Sequence, residues 1–347
     1  FITGYLEEQI KEYFGDGSKW GVSIEYVRQK EQLGTANAIG CAKGYVDGAF
    51  LVLNGDMLIG QEDLRALVSR TEEAVICVKE VENPSDFGVL ETENDRVVRV
   101  IEKPKTPPTN LANAGIYLFR ESIFDFIDRT QPSVRNEFEI TDSLQMLIDT
   151  GATVGYSSLS GRWIDIGYPW DLLKANEHLL KDLRKRYEGT VEPNATIKGE
   201  VVIGKGTLIR SGSYIEGPVI IGENCDIGPN CYIRPYTSIG NHVRVGNAVE
   251  IKNTIIMENT NVGHLSYVGD SIIGRRCNFG AGTKVANLRH DGKNIKVMIK
   301  GRILDSGRRK LGVIMGDDVH TGINTSINTG VVMEKGRFTY PGEIVKH

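Results

Sequence analysis

The sequence predicts two domains in series, an α/β domain followed by a left-handed parallel β-helix of hexapeptide repeats. Three observations predict it. Apolar runs alternate with amphipathic stretches over residues 1–167, a single helical stripe fills 168–189, and a six-residue aliphatic period takes over after Gly189. A chain of 347 residues has room for two separate cores.

In the first region, Leu6–Phe14 carries helical spacing (Leu6, Ile10, Tyr13, Phe14) and stops at Gly15-Asp16-Gly17. Val22–Val27 and Phe50–Leu53 read as strands, the second as a short apolar run suited to a buried parallel sheet. The chain begins at Phe1, inside what reads as a strand, so it is expected to be a fragment whose α/β domain is incomplete at its N-terminus. Residues 169–187 open with Pro169 at the first turn and align Leu172, Leu173, Leu179, Leu180 and Leu183, which predicts a connecting helix.

From Ile197, an aliphatic residue occupies every sixth position through Ile203, Ile209, Ile215, Ile221, Ile227, Ile233, Ile239, Val245, Ile251 and Met257. The frame slips near Val262, recovers through Val268, Ile273, Phe279 and Val285, breaks over a basic stretch, and resumes at Met315, Thr321, Ile327 and Met333. Such a period suits a solenoid whose coil has three short strands, each sending one aliphatic side chain to the axis, with glycine and small residues at the corners. About six short turns are expected.

The net charge of −4 gives no reason to expect nucleic acid or an anionic membrane as partner. No apolar run reaches the length of a membrane span, and no signal peptide is visible. The five cysteines are odd in number, form no Cys-x-x-Cys pair, and read as small buried hydrophobes in a reducing cytoplasm. Between Lys293 and Lys310 there are seven Lys/Arg (Lys293, Lys296, Lys300, Arg302, Arg308, Arg309, Lys310) and a single acid, Asp305. That stretch suits either the phosphates of a bound ligand or a solvated loop.

Residues 263–287 read GHLSYVGDSIIGRRCNFGAGTKVAN, with Arg234-Pro235 and Gly246–Lys252 (GNAVEIK) upstream. Here the chain resembles the acetyltransferase half of the bacterial bifunctional glucosamine-1-phosphate acetyltransferase and N-acetylglucosamine-1-phosphate uridyltransferase. It is similar, more closely, to archaeal sugar-1-phosphate nucleotidylyltransferases that carry the same β-helix. The resemblance covers essentially the whole chain. It implies acetyl transfer from acetyl-CoA to the amine of glucosamine 1-phosphate or galactosamine 1-phosphate. It also implies nucleotidyl transfer from a nucleoside triphosphate, with Mg²⁺, giving a UDP-N-acetylhexosamine.

Acetylating an amine needs a base for the ammonium proton, a phosphate clamp and donors for a tetrahedral oxyanion. His264 is the histidine set among small residues within the coil pattern, and an imidazole suits a base at neutral pH. By resemblance His264 is that base, Arg234 and Lys252 hold the sugar phosphate, and Tyr267 and Asn278 are further polar contacts. Asn287 and Ala281 are implied to meet acetyl-CoA, Ala281 through its backbone. Two departures weaken the coenzyme A contacts. Asn287–Gly292 is two residues longer than the bacterial Asn-x-Asp-Gly, and Ile323 stands where bacterial members have serine.

The first half resembles a nucleotidylyltransferase. Gln29, Gly34 and Thr35 match its base-reading loop, Asp56 in Leu53-Asn54-Gly55-Asp56 a metal-binding aspartate, and Asp165 in Trp163–Gly167 the second. Gly88, Glu102 and Asn113 match sugar-side elements. Two carboxylates from separate strand ends suit Mg²⁺ between phosphates. The family's Gly-x-Gly-Thr-Arg loop and following Pro-Lys would stand before Phe1, so nucleotidyl transfer is expected of the intact protein and not of this chain. The resemblance also implies a homotrimer, because sites in this family form between neighbouring subunits.

Two competing readings remain. A carbonic anhydrase on the same solenoid needs closely spaced histidine ligands, whereas His242, His264 and His290 lie twenty-two and twenty-six residues apart. A non-catalytic regulatory subunit of the same two-part architecture would have no need of Gly263-His264-Leu265 with Asn278 and Asn287.

Overall fold

A computed structural model describes residues 1–346. The chain divides into two compact units, the first Phe1–Asp165 and the second from Ile166 onward. Among the described residues no helix is long and apolar enough to cross a membrane.

The first unit is built on a six-stranded sheet with strand order 49–53, 111–120, 74–80, 154–158, 96–101, 89–93. Strand Ala74–Glu80 shows why the sheet is covered on both sides. Successive side chains point to opposite faces, so Ala74, Ile76 and Val78 join Phe119 and Leu144 in one cluster, while Val75 and Cys77 join Leu67, Ile116 and Leu118 in another. Burial pushes the Cys77 thiol up to about 12. All five cysteines are free, Cys41 half-buried and the other four buried, as small hydrophobes should be.

Two strand expectations change. Phe50–Leu53 lies in an edge strand of this sheet, antiparallel to 111–120 and only half-buried, and not in a parallel core. Of Val22–Val27 only Val27 enters a strand, Val27–Arg28, parallel to Ile2–Thr3. The preceding residues spend their backbone bonds on the glycine turn instead, Val22 N to Gly17 O at 3.2 Å and Ile24 N to Asp16 O at 2.9 Å.

The second unit is a parallel β-helix, consistent with the left-handed form. Its strands stack into three faces, eight, seven and eight strands deep, more than the six turns expected. We call first the face that holds Val201–Ile203, second the face that holds Asn261–His264, and third the face that holds Tyr267–Gly269. Lower coils repeat every 18 residues, as in Ile215 over Ile233. The axis is filled by the aliphatic row, with Cys225, Cys231 and Cys277 packed among it. Burying one such side chain is worth about 1.5–3 kcal/mol.

The row corrects the period. Ile239 pairs with Ile256, a step of 17 residues, so Ile256 fills the axis while Met257 is only partly buried. The slip therefore falls between Ile251 and Ile256, one strand before its expected place near Val262. A second trimmed corner lies between Val268 and Ile273, both of which are in the axis. Beyond it the step from Ile273 to Met315 is 42 residues, because the chain leaves the coil after Asn287 and returns at Gly312. The excursion carries an antiparallel hairpin, Lys296–Ile299 with Arg302–Asp305.

The predicted connecting helix over 168–189 is shorter, Asp171–Leu180, and it is not a free linker. It lies against the first face, with Trp170 and Leu173 in a cluster with Ile272, Ile314, and Ile295 and Val297 of the excursion. Asn176 donates to Tyr236 O at 2.8 Å, and its Oδ1 accepts from Ser238 Oγ at 2.5 Å. Arg186–Tyr187, expected to be helical, is the first strand of the first face.

Candidate functional site

The corner between the third and first faces gathers the polar residues of the β-helix. Arg234 and Lys252 follow the axis residues Ile233 and Ile251 in successive coils, and Lys252 pairs in register with Gly269. Strand spacing places successive members of that column about 4.8 Å apart. Both trimmed corners lie here, at Lys252-Asn253 and Gly269-Asp270, where Asn253 and Asp270 take positive φ of 45° and 50°.

Asp270, only 2% exposed, is the hub. Its carboxylate accepts from Lys252 Nζ at 3.1 Å, Asn253 Nδ2 at 2.9 Å and Asn287 Nδ2 at 2.6 Å. The second N–H of Asn287 donates to Tyr267 Oη at 3.1 Å. A carboxylate only accepts, so the atom of Asn287 facing Asp270 is nitrogen and Asn287 Oδ1 is left as the outward acceptor. The side chains close over Gly269. A Cβ there would stand 2.6 Å from Tyr267 Oη and 2.7 Å from Asn287 Nδ2, so a larger residue would push both side chains out of the cluster. Burial first, then the Asp270 and Glu250 charges, push the Tyr267 phenol up.

The structure thus brings Lys252, Tyr267 and Asn287 together. Arg234, one coil below, is ion-paired with Glu250 at 3.0 Å and lies over the Tyr232 ring. His264 ends its strand on the second face, exposed, in register with Asn247. Among the described residues nothing hydrogen-bonds its imidazole. Ala281 follows it one coil on, where the His264 carbonyl accepts from Gly282 N at 3.1 Å. Asn278 opens that coil's strand on the second face, in register with Asn261 and His320. Within one chain, Asn278 and Lys252 therefore stand on different faces.

In the first unit, Gln29 Nε2 donates to Asn37 Oδ1 at 2.8 Å and Gly34 O at 3.3 Å, and Thr35 Oγ1 accepts from Ile140 N at 3.0 Å. Gly34 has φ +111°, and a Cβ would lie 2.6 Å from Phe138 O. Gly88, Glu102 and Asn113 also converge. Asn113 N donates to Gly88 O at 2.7 Å, and a Cβ on Gly88 would be 3.1 Å from Glu102 Oε2. Burial, with Glu139 adding to it, holds the Glu102 carboxyl above its ordinary range. Asp165 is the register partner of Met57, so Asp56 and Asp165 flank the same end of a two-stranded ribbon. Trp163 Nε1 ties that ribbon to Ala114 O at 3.2 Å. Among the described residues, no group of three or more His, Cys, Asp or Glu could hold a metal ion, so two carboxylates are what this site offers one.

The family model described as nucleotidyl transferase matches residues 1–182, and the one described as GMPPB C-terminal domain matches 215–339. Two relatives named bifunctional protein GlmU, from Methanococcus maripaludis and Methanocaldococcus jannaschii, are each 46% identical. The matches, over 333 and 332 residues, cover 95% of this chain and 79% of each relative. A bifunctional sugar-1-phosphate nucleotidylyltransferase/acetyltransferase from Sulfurisphaera tokodaii is 43% identical over 99% of this chain and 85% of its own length. The chain belongs to this bifunctional nucleotidylyltransferase/acetyltransferase family. Acetyl and nucleotidyl transfer are the family's two chemistries, and the regulatory-subunit reading finds no support.

For a member of the family, the hub residue Asp270 is what sequence reasoning missed. It stands inside the quoted motif, but a corner aspartate with positive φ reads as turn chemistry. Glu250 and Lys284, whose ammonium binds the Leu265 carbonyl beside His264, were missed for another reason: both lie in strands, where a charged side chain reads as solvated surface. In the first unit Arg135, which joins Glu102 at 3.4 Å and Glu139 at 2.6 Å, carried no motif signal.

Proposed function

We propose that the β-helix transfers acetyl from acetyl-CoA to the amine of glucosamine 1-phosphate, galactosamine 1-phosphate or both. The first unit serves nucleotidyl transfer to the sugar 1-phosphate, leading to UDP-N-acetylhexosamine. The observation that carries the acetyltransferase reading is the Lys252–Asp270–Asn287–Tyr267 cluster, a fixed set of donors and acceptors beside a column of two cations.

His264 takes a proton from the substrate ammonium. The free amine then attacks the thioester carbonyl, forming the C–N bond. The tetrahedral intermediate gives its second nitrogen proton to solvent and expels the thiolate as the C–S bond breaks, and the thiolate takes up a proton as the imidazolium returns to neutral. Lys252 and Arg234 hold the sugar phosphate with their remaining N–H groups, while Asp270 and Glu250 stay paired with them and keep them oriented. Tyr267 and Asn278 make further polar contacts with the substrate. Asn287 and the Ala281 backbone meet acetyl-CoA. Because Asn278 and Lys252 stand on different faces, one substrate reaches both only where two chains meet, which supports a homotrimer.

In the first unit, Gln29, Gly34 and Thr35 face the base, and Gly88, Glu102 and Asn113 the sugar. Asp56 and Asp165, at the same end of the two-stranded ribbon, would hold Mg²⁺. Bound there, the ion would neutralise phosphate charge.

His264→Ala tests the acetyl-transfer reading. The expected outcome is an unchanged melting profile with acetyl transfer lowered about 10²–10⁴-fold, partly regained at high pH where the amine arrives deprotonated. Wild-type turnover in the variant would make His264 structural.

A further inference from the structure

Of the seven cations between Lys293 and Lys310, three, Arg308, Arg309 and Lys310, line a cavity of about 590 Å³ whose other walls are Leu288 and Asp270. We propose that this cavity is a subsite for a phosphate monoester, filled by a phosphate group of one of the two acetyl-transfer substrates. The inference rests on the acetyltransferase reading and adds a ligand chemistry to a part of the fold that it leaves unassigned.

Charge decides the ligand. Asp270 is neutralised by Lys252 at 3.1 Å, and its remaining lone pairs are taken by Asn253 and Asn287. Arg308 is neutralised by Glu177 of the flanking helix at 3.1 Å. Arg309 and Lys310 have no carboxylate within ion-pair distance among the described residues. Two uncompensated positive charges therefore face the cavity, and a phosphate monoester near neutral pH carries about −1.5 to −2.

The cations are also placed, not left to wander. Arg309 Nε donates to Gly292 O at 3.1 Å, which holds the guanidinium against a turn with Gly292 at φ +65°. An antiparallel bridge between Leu288 and Lys310 closes the excursion where it leaves and rejoins the coil. Lys300 and Arg302 sit at the exposed tip of the hairpin and line no part of the cavity. The cavity adjoins Asp270, so a phosphate seated in it lies beside the polar cluster proposed to bind substrate.

The two phosphate sources are the sugar 1-phosphate and the 3′-phosphate of coenzyme A, and calorimetric titration separates them. Hexosamine 1-phosphate and coenzyme A are titrated into the wild-type protein and into Arg309→Gln/Lys310→Gln, with free hexosamine and 3′-dephospho-coenzyme A as the matching ligands without that phosphate. The expected result is a loss of affinity of about tenfold or more for one of the two esters. The dephosphorylated form of that ester should bind wild type and variant alike. Equal binding of both esters to the two proteins overturns the proposal, as does a wild type that binds neither. Should the wild type bind an ester yet acetylate no amine, the acetyltransferase reading fails on its own while the titration still decides the subsite.

Discussion

At the residue scale, the polar cluster of the β-helix is organised by a carboxylate that touches three donors at once. Asp270→Asn replaces an all-acceptor group with one acceptor and one donor, so Lys252, Asn253 and Asn287 cannot all be satisfied. The expected outcome is a stability loss of about 1–3 kcal/mol and a fall in acetyl transfer of about 10²-fold as Lys252 and Asn287 lose their orientation. Thermal melting and steady-state kinetics check the two parts, and a variant that matches wild type in both would remove Asp270 from its positioning role. Lys252 was named by the upstream stretch Gly246–Lys252, and Tyr267 and Asn287 by the dense motif over 263–287. Asp270 was not, because its importance lies in whom it touches across a coil boundary, and those partners are 18, 17 and 17 residues away in the chain.

At the scale of the element, the six-residue period fixed the solenoid and its axis almost throughout. The error at Met257 has a physical cause. Ile255, Ile256 and Met257 are three aliphatic residues in a row, so a one-residue deletion at the corner leaves an apolar side chain in the old slot and hides the shift. The structure separates them. Ile256→Ala should cost about 2–5 kcal/mol as a cavity opens in the axis, while Met257→Ala, at a partly buried site, should cost less than about 1 kcal/mol. Denaturant unfolding of both variants checks this, and the reverse order would put Met257 back in the core. The helix at Asp171–Leu180 was visible as a leucine stripe, but a stripe names no partner. That it covers the first face together with the hairpin follows only from the packing around Trp170, Leu173, Ile295 and Val297.

At the scale of the molecule, the second unit's own helix and hairpin occupy one of its three faces, and its other two are left uncovered by that unit's residues. An interface that joins two unlike faces is head to tail, and it must either close into a ring or run on as a fibre. Closure over three chains is the outcome expected of a triangular prism, and the exposed Leu265, Ile323 and Tyr340 supply apolar surface for the joint. Light scattering at micromolar concentration should therefore give three times the chain mass, and a monomer mass would also leave the polar cluster and Asn278 without a common substrate. The trimmed corners have a consequence of another kind, because they give the solenoid a reading frame. Removing an eighteen-residue coil below Ile239, such as 204–221, joins Ile203 to Gly222 and repeats a junction the chain already contains. The same length cut from 252–269 joins Ile251 to Asp270 where Gly269 is required, and from that point every inward side chain would turn outward, as a frameshift garbles each codon after it.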